Sequence, residues 1–125
     1  MRTALALLVL TAALALSTAP ANAAPSKYCS PTGDFCHGWT KRGGPVRLYL
    51  DTFSFSGRIS ICVTTPADKT TCRSFRLRDK PAGIMGVDVR WRAHFPRAGS
   101  GIYTAVFKYG GDPIGEPVDL LISGP

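Results

Sequence analysis

From residue 46 onward, apolar and polar residues alternate in short runs, and no stretch repeats at the three-to-four-residue spacing of an amphipathic helix. The segment VDVRWRAHF (87–95) is the clearest case, with Val87, Val89, Trp91, Ala93 and Phe95 on one side and Asp88, Arg90, Arg92 and His94 on the other. Period two is the signature of a strand with one buried and one wet face. The same pattern marks VRLYLDTF (46–53), RISICVTT (58–65), TCRSFRLR (71–78), IYTAVFKY (102–109) and VDLLI (118–122), with a further short strand expected near Trp39–Lys41. The intervening TPAD, KPAG, FPRAGSG and YGGDPIGEP are rich in Pro, Gly and Asp, residues suited to turns. About seven short antiparallel strands in a chain of this length imply an all-β protein, either a β-sandwich or a small barrel.

The chain opens MRTALALLVLTAALALSTAPANA. Arg2, the apolar run Ala4–Leu16 and Ala21-Asn22-Ala23 correspond to the charged region, hydrophobic region and A-x-A cleavage site of a secretory signal peptide spanning 1–23. The apolar run, about 13 residues, is shorter than the roughly 18–20 needed to span a bilayer. No transmembrane segment is expected in the mature protein, which should be secreted. Cleavage after Ala23 leaves 102 of the 125 residues, enough for one domain (24–125). Arg2 leaves with the signal, so 14 Lys and Arg face 8 Asp and Glu, a net charge of +6. That sign favours acidic partners, and it also keeps a secreted domain soluble.

Four cysteines, Cys29, Cys36, Cys62 and Cys72, all lie beyond the signal, and an even count in an oxidising compartment implies two disulfides. Strand register selects the pairing. If 58–65 and 71–78 form a hairpin around Pro66-Ala67-Asp68, pairing Cys62 with Cys72 sets Val63 opposite Thr71, Ile61 opposite Arg73 and Ile59 opposite Phe75. The apolar residues then share one face and the cysteines the other, whereas a one-residue slip would turn one strand's apolar side to water. Arg73 is the misfit on the inner face; it is expected near an open end, its stem on the core and its head in water. Cys29–Cys36 remains as the second bond, a clasp on an N-terminal segment (24–45) ahead of the strand at 46–53.

GSGIYTAVF (99–107) resembles the stretch of immunoglobulin-like domains in which a Gly-x-Tyr pair opens strand F. The resemblance implies an Ig-like antiparallel β-sandwich, with Tyr103 as the corner tyrosine whose hydroxyl bonds back to the backbone. It departs from the antibody type in two places. Ala105 stands where the family carries its second core cysteine, and Trp91 lies on the strand before the corner rather than on strand C. The Ala-rich leader and Arg-, Gly- and Pro-rich body look like small uncharacterised secreted proteins of high-GC Gram-positive bacteria. The Cys-x9-Cys hairpin is similar to that of enediyne chromoprotein apoproteins, which carry a small ligand in a cleft, although their second disulfide lies later in the chain.

Among chemical readings, YCSPTGDFCHGW (28–39) places Cys29, Cys36, His37 and Asp34 close together. The six residues between its cysteines exceed the usual spacing of two to four in zinc sites. Oxidation would also consume both thiols, so no metal and no cofactor are expected, and His37 is read as a bystander. His94 with Asp88 and Asp51 on a shared outer face would lack the enclosure that nucleophilic catalysis requires, and a non-enzymatic protein is expected. Trp91, Phe95 and Phe107 are read as core, while Tyr49 and Trp39 are the aromatic residues placed nearest the surface. The functional signal is basic. Arg58, Arg76 and Arg78 are expected on one outer face beside the Cys62–Cys72 bond, joined by Lys108. Arg47, Arg90, Arg92 and His94 would line the opposite sheet, diluted by Asp51 and Asp88. These residues imply a secreted binding module whose partner is a protein or an acidic extracellular polymer. An inhibitor acting through loop 110–117, or a small-ligand carrier on the same scaffold, is the alternative.

Overall fold

The computed structural model describes residues 24–41 and 44–123; the signal peptide expected at 1–23 lies outside them. Ten strands form two antiparallel sheets: β1 (Lys27–Cys29), β2 (Phe35–Thr40), β3 (Arg47–Thr52), β4 (Arg58–Thr64), β5 (Thr70–Arg76), β6 (Arg78–Lys80), β7 (Ile84–Arg90), β8 (Gly101–Tyr109), β9 (Asp112–Pro113) and β10 (Val118–Ile122). One sheet runs β1-β2-β3-β7-β6, and the other β10-β8-β4-β5 with β9 added to β8. If β2, β3, β7 and β6 are lettered A, B, E and D, and β10, β8, β4 and β5 are lettered G, F, C and C′, this is the strand order of an Ig-like sandwich.

Alternation gives each strand its inner row. Leu48 and Leu50 of β3, Ile59, Ile61 and Val63 of β4, Tyr103, Ala105 and Phe107 of β8, and Val118 of β10 are buried between the sheets. The β4–β5 hairpin has the register expected of it: Cys62 opposes Cys72, Ile61 opposes Arg73 and Ile59 opposes Phe75. Both disulfides, Cys29–Cys36 and Cys62–Cys72, join directly opposed residues, with Cα separations of 4.1 and 4.0 Å. Arg73 is exposed, and its Nε donates to the His94 carbonyl at 3.1 Å. Tyr103 is fully buried; its hydroxyl donates to the Gly99 carbonyl at 2.7 Å and accepts from the Ala98 N–H at 2.8 Å, which is the corner geometry that the Ig resemblance implies.

Three expectations are corrected. The 87–95 segment is not one strand: β7 ends at Arg90, and Trp91–His94 form a single helical turn, α1, closed by the Phe95 N–H donating to the Trp91 carbonyl. Residues 91 and 95 fall on one face in either geometry, so period two could not distinguish them, and both rings are buried while Ala93 is exposed. The 71–78 segment also divides, because Leu77 is the crossing point between sheets. Leu77 is buried and its N–H donates to the Gly57 carbonyl at 2.7 Å; β5 lies before it in one sheet and β6 after it in the other.

Finally, the N-terminal segment is no appended clasp. It contributes β1 and β2, so Cys29–Cys36 staples a hairpin within the sheet. Beyond it, the Trp39 N–H donates to the Ser26 carbonyl and the Asp119 N–H to the Pro25 carbonyl, so residues 25 and 26 tie β2 to β10. Gly38 makes that approach possible, since a Cβ there would lie 2.5 Å from the Ser26 carbonyl oxygen.

Candidate binding surface

Of the four basic residues singled out in the sequence, three share the outer face of the β10-β8-β4-β5 sheet. Arg58 and Arg76 are directly opposed, and Lys108 stands opposite Ser60, the next outward position along β4. Like charges across a strand pair repel. Neither arginine has an acidic partner among the described residues, where the ion pairs are Arg47–Asp88 and Lys80–Asp51, each at 2.6 Å. Arg78 is not on this face. It lies beyond the Leu77 crossing on β6, opposite Gly86 in the other sheet.

Arg76 and Arg78 nevertheless meet at the seam between the sheets. A cleft of about 500 Å³ lies there, with Phe75, Val87 and Val89 as its apolar surface. Arg76, Arg78, Lys80 and His94 bring basic groups to it, and Asp79 and Asp88 acidic ones. Its origin is topological. The three-residue β6 pairs only with Ile84–Gly86, so β7 from Val87 to Arg90 has β3 on one side and no strand on the other among the described residues. An unpaired strand edge presents free N–H and C=O groups at the spacing of a further strand. The two acids on the neighbouring outer face are neutralised: Arg47 holds Asp88 and Lys80 holds Asp51. Of the cleft's two acids Asp79 has no ion pair among the described residues, so the uncompensated groups at the seam are Arg76 and Arg78 against Asp79, a positive balance.

The other chemical-looking residues are dispersed. His94 sits on α1, its ring edge-on to Phe75 at 5.0 Å between centroids, while Asp88 and Asp51 are engaged by Arg47 and Lys80. Cys29 and Cys36 are joined to each other, and their side chains project from the face of β2 opposite to that of His37. Trp39 is buried, with Nε1 donating to the Val118 carbonyl at 3.0 Å, rather than surface-placed as its sequence context suggested. Tyr49 is half-buried on the outer face of its sheet, with the Lys27 ammonium 5.8 Å from its ring centroid. Loop 110–117 does not stand away from the body. Asp112–Pro113 pair with β8, the Ile114 N–H donates to the Phe107 carbonyl, and Gly115 packs on the Tyr28 ring and His37.

The residue that sequence reasoning missed is His37. It is fully buried on β2, its ring 4.3 Å from that of Phe107 and edge-on to Tyr28 and Phe35, and neither ring nitrogen has a hydrogen-bond partner. Desolvation pushes its pKa down from the usual 6.5 to about 4, so the ring is neutral in the native protein at pH 7. The signal was present in the sequence: Phe35, His37 and Trp39 alternate with Cys36 and Gly38 just as later core residues do. Two cysteines and a histidine drew attention to chemistry instead of period.

Searches against family models, curated proteins and solved structures return no match.

Proposed function

We propose that the chain is a secreted, disulfide-stabilised binding module that receives an extended acidic segment of a protein, or an acidic polymer, at the seam between β5 and β7. The observation that carries this reading is the unpaired edge of β7 facing Arg76 and Arg78, neither of which has an acidic partner among the described residues. Strand addition supplies main-chain hydrogen bonds, and the basic rim selects for acidic side chains. Arg58 and Lys108 extend the positive field along the adjoining sheet face. Two disulfides suit an oxidising, extracellular setting, and no helix among the described residues is long and apolar enough to cross a membrane. The test is retention on immobilised poly-glutamate and on heparin as salt rises. Elution near physiological salt is the expected result for the native chain, with R76S/R78S leaving at clearly lower salt. Equal retention of the two proteins would overturn the assignment.

The volume of the seam and the apolar trio Phe75, Val87 and Val89 favour one further reading, a carrier of a small apolar ligand. Mass spectrometry of the organic extract of the protein recovered from its producer separates the two. A stoichiometric small molecule, lost in a Phe75→Arg variant, supports carriage.

A further inference from the structure

The first residues described lie against a carboxylate that has no cationic partner among the described residues. Asp119, on β10, is half-buried and takes part in neither of the ion pairs among the described residues. Its Oδ1 accepts from the Thr104 hydroxyl at 2.7 Å, and its Oδ2 accepts from the Ala24 backbone nitrogen at 2.8 Å. Its own N–H donates to the Pro25 carbonyl at 3.0 Å, so Ala24 and Pro25 are clamped to the one residue through both its side chain and its backbone. Thr104, opposite Asp119 in the β8–β10 register, orients the carboxylate toward Ala24. Both hydrogen bonds to the carboxylate come from neutral donors. A partly desolvated carboxylate held only by neutral donors is poorly compensated, whereas one facing a cation gains substantially.

We propose that Asp119 is the counter-ion of a processed amino terminus at Ala24. Hydrolysis of the Ala23–Ala24 peptide bond by a signal-peptide hydrolase adds one water. The carbonyl carbon of Ala23 takes the hydroxyl and leaves as a carboxylate, and the nitrogen of Ala24, once released, is protonated to an ammonium. The single amide donor that points at Oδ2 becomes a charged group with three donors, without any movement of the chain. Cleavage thereby converts a neutral hydrogen bond into an ion pair that bridges the N-terminal segment and β10. The seam that residues 24–26 close is thus completed by processing, and the cleavage position is set to the residue: one residue fewer removes the nitrogen from Asp119, and added residues restore a neutral amide there.

The full chain, expressed in a secreting host and recovered from the medium, tests this. Intact mass should show a chain beginning at Ala24 with both disulfides formed. In a second version Gly-Ser-Gly is inserted between Ala23 and Ala24, so that the new ammonium lies three residues away from Asp119; its intact mass confirms the added residues. Asp119→Asn is made in each. In the native-length protein D119N should lower the folded-to-unfolded ratio about fivefold, the difference between a hydrogen bond to a charged and to a neutral partner. In the extended protein it should change the ratio less than twofold. A mature chain beginning elsewhere would overturn the proposal, and so would an equal effect of D119N in both backgrounds, which would mark Asp119 as a purely structural acceptor.

Discussion

Along one lateral seam of the sandwich, residues 24–26 run between β2 and β10 and are hydrogen-bonded to both; along the other, β5 and β6 part at Leu77 and leave β7 with an unpaired edge. The closed seam is aromatic. Trp39 fills it, with its indole N–H on the Val118 carbonyl and its ring edge-on to Trp91. The open seam is basic and solvated, and Arg73 and Phe75 reach across it to the turn at His94. A sandwich has two sides that must be covered, filled or guarded against edge-to-edge pairing. Here one is covered by the chain's own N-terminal segment, and the other, where β7 has an unpaired edge among the described residues, is guarded by charge.

Trp39→Ala should open the closed seam. It removes a buried indole and leaves the Val118 carbonyl without its donor, so urea denaturation should show a loss of about 3–5 kcal/mol. For a domain of this size that is a large part of the total stability. The corresponding truncation at the open seam, Phe75→Ala, should cost distinctly less because Phe75 is only half-buried. If the two losses were equal, the seams would not differ in kind.

The disulfides provide the next comparison, since Cys29–Cys36 staples the hairpin on the closed side and Cys62–Cys72 staples the hairpin whose β5 borders the cleft. Chain entropy assigns each loop about 2–3 kcal/mol. The double-serine variants should therefore destabilise similarly, as measured by shifts in denaturation midpoint. Loss of the second should also weaken binding, because it loosens a wall of the cleft, and loss of the first should not.

His37 tests the closed side through pH. Its folded pKa, about 4, lies below the 6.5 of the exposed ring, so below pH 6.5 the unfolded chain takes up a proton that the native one refuses. This contribution to stability is intact above pH 6.5 and is lost as pH falls toward 4, at up to about 1.4 kcal/mol per unit. His37→Leu forfeits no hydrogen bond, so at pH 7 it should lie within about 1 kcal/mol of the parent. Its denaturation midpoint should fall less than the parent's between pH 6.5 and 4.5. Parallel curves for the two proteins would refute the buried neutral histidine. The smallest expected change in stability belongs to R76S/R78S, within about 0.5 kcal/mol for exposed residues. Its effect should appear in retention on acidic matrices instead.

Much of the sandwich was legible in the sequence because period-two alternation is a local property and six of its strands carry it plainly. The Cys62–Cys72 register followed because only one alignment buries Ile59, Ile61, Val63 and Phe75 together. Tyr103 followed from its Gly-x-Tyr context. Three features escaped for separate reasons. Trp91 and Phe95 are four apart, a spacing that strand and helical turn satisfy alike. Leu77 points inward on either side of the crossing, so alternation continued unbroken from β5 toward β6 and put Arg78 on the wrong sheet. His37 sits in an alternating row, but a polar residue there counts against burial when its neighbours are unknown.

The sequence by itself determined the strand content, one disulfide register and the corner tyrosine, because each depends on residues within about a dozen positions of one another. Which seam closes, where Arg76 and Arg78 meet, what buries His37 and which group faces Asp119 were decided only by the tertiary structure. Those outcomes rest on contacts between residues as far apart as Ala24 and Asp119, separated by 95 positions, and no local pattern encodes a hydrogen bond across that span.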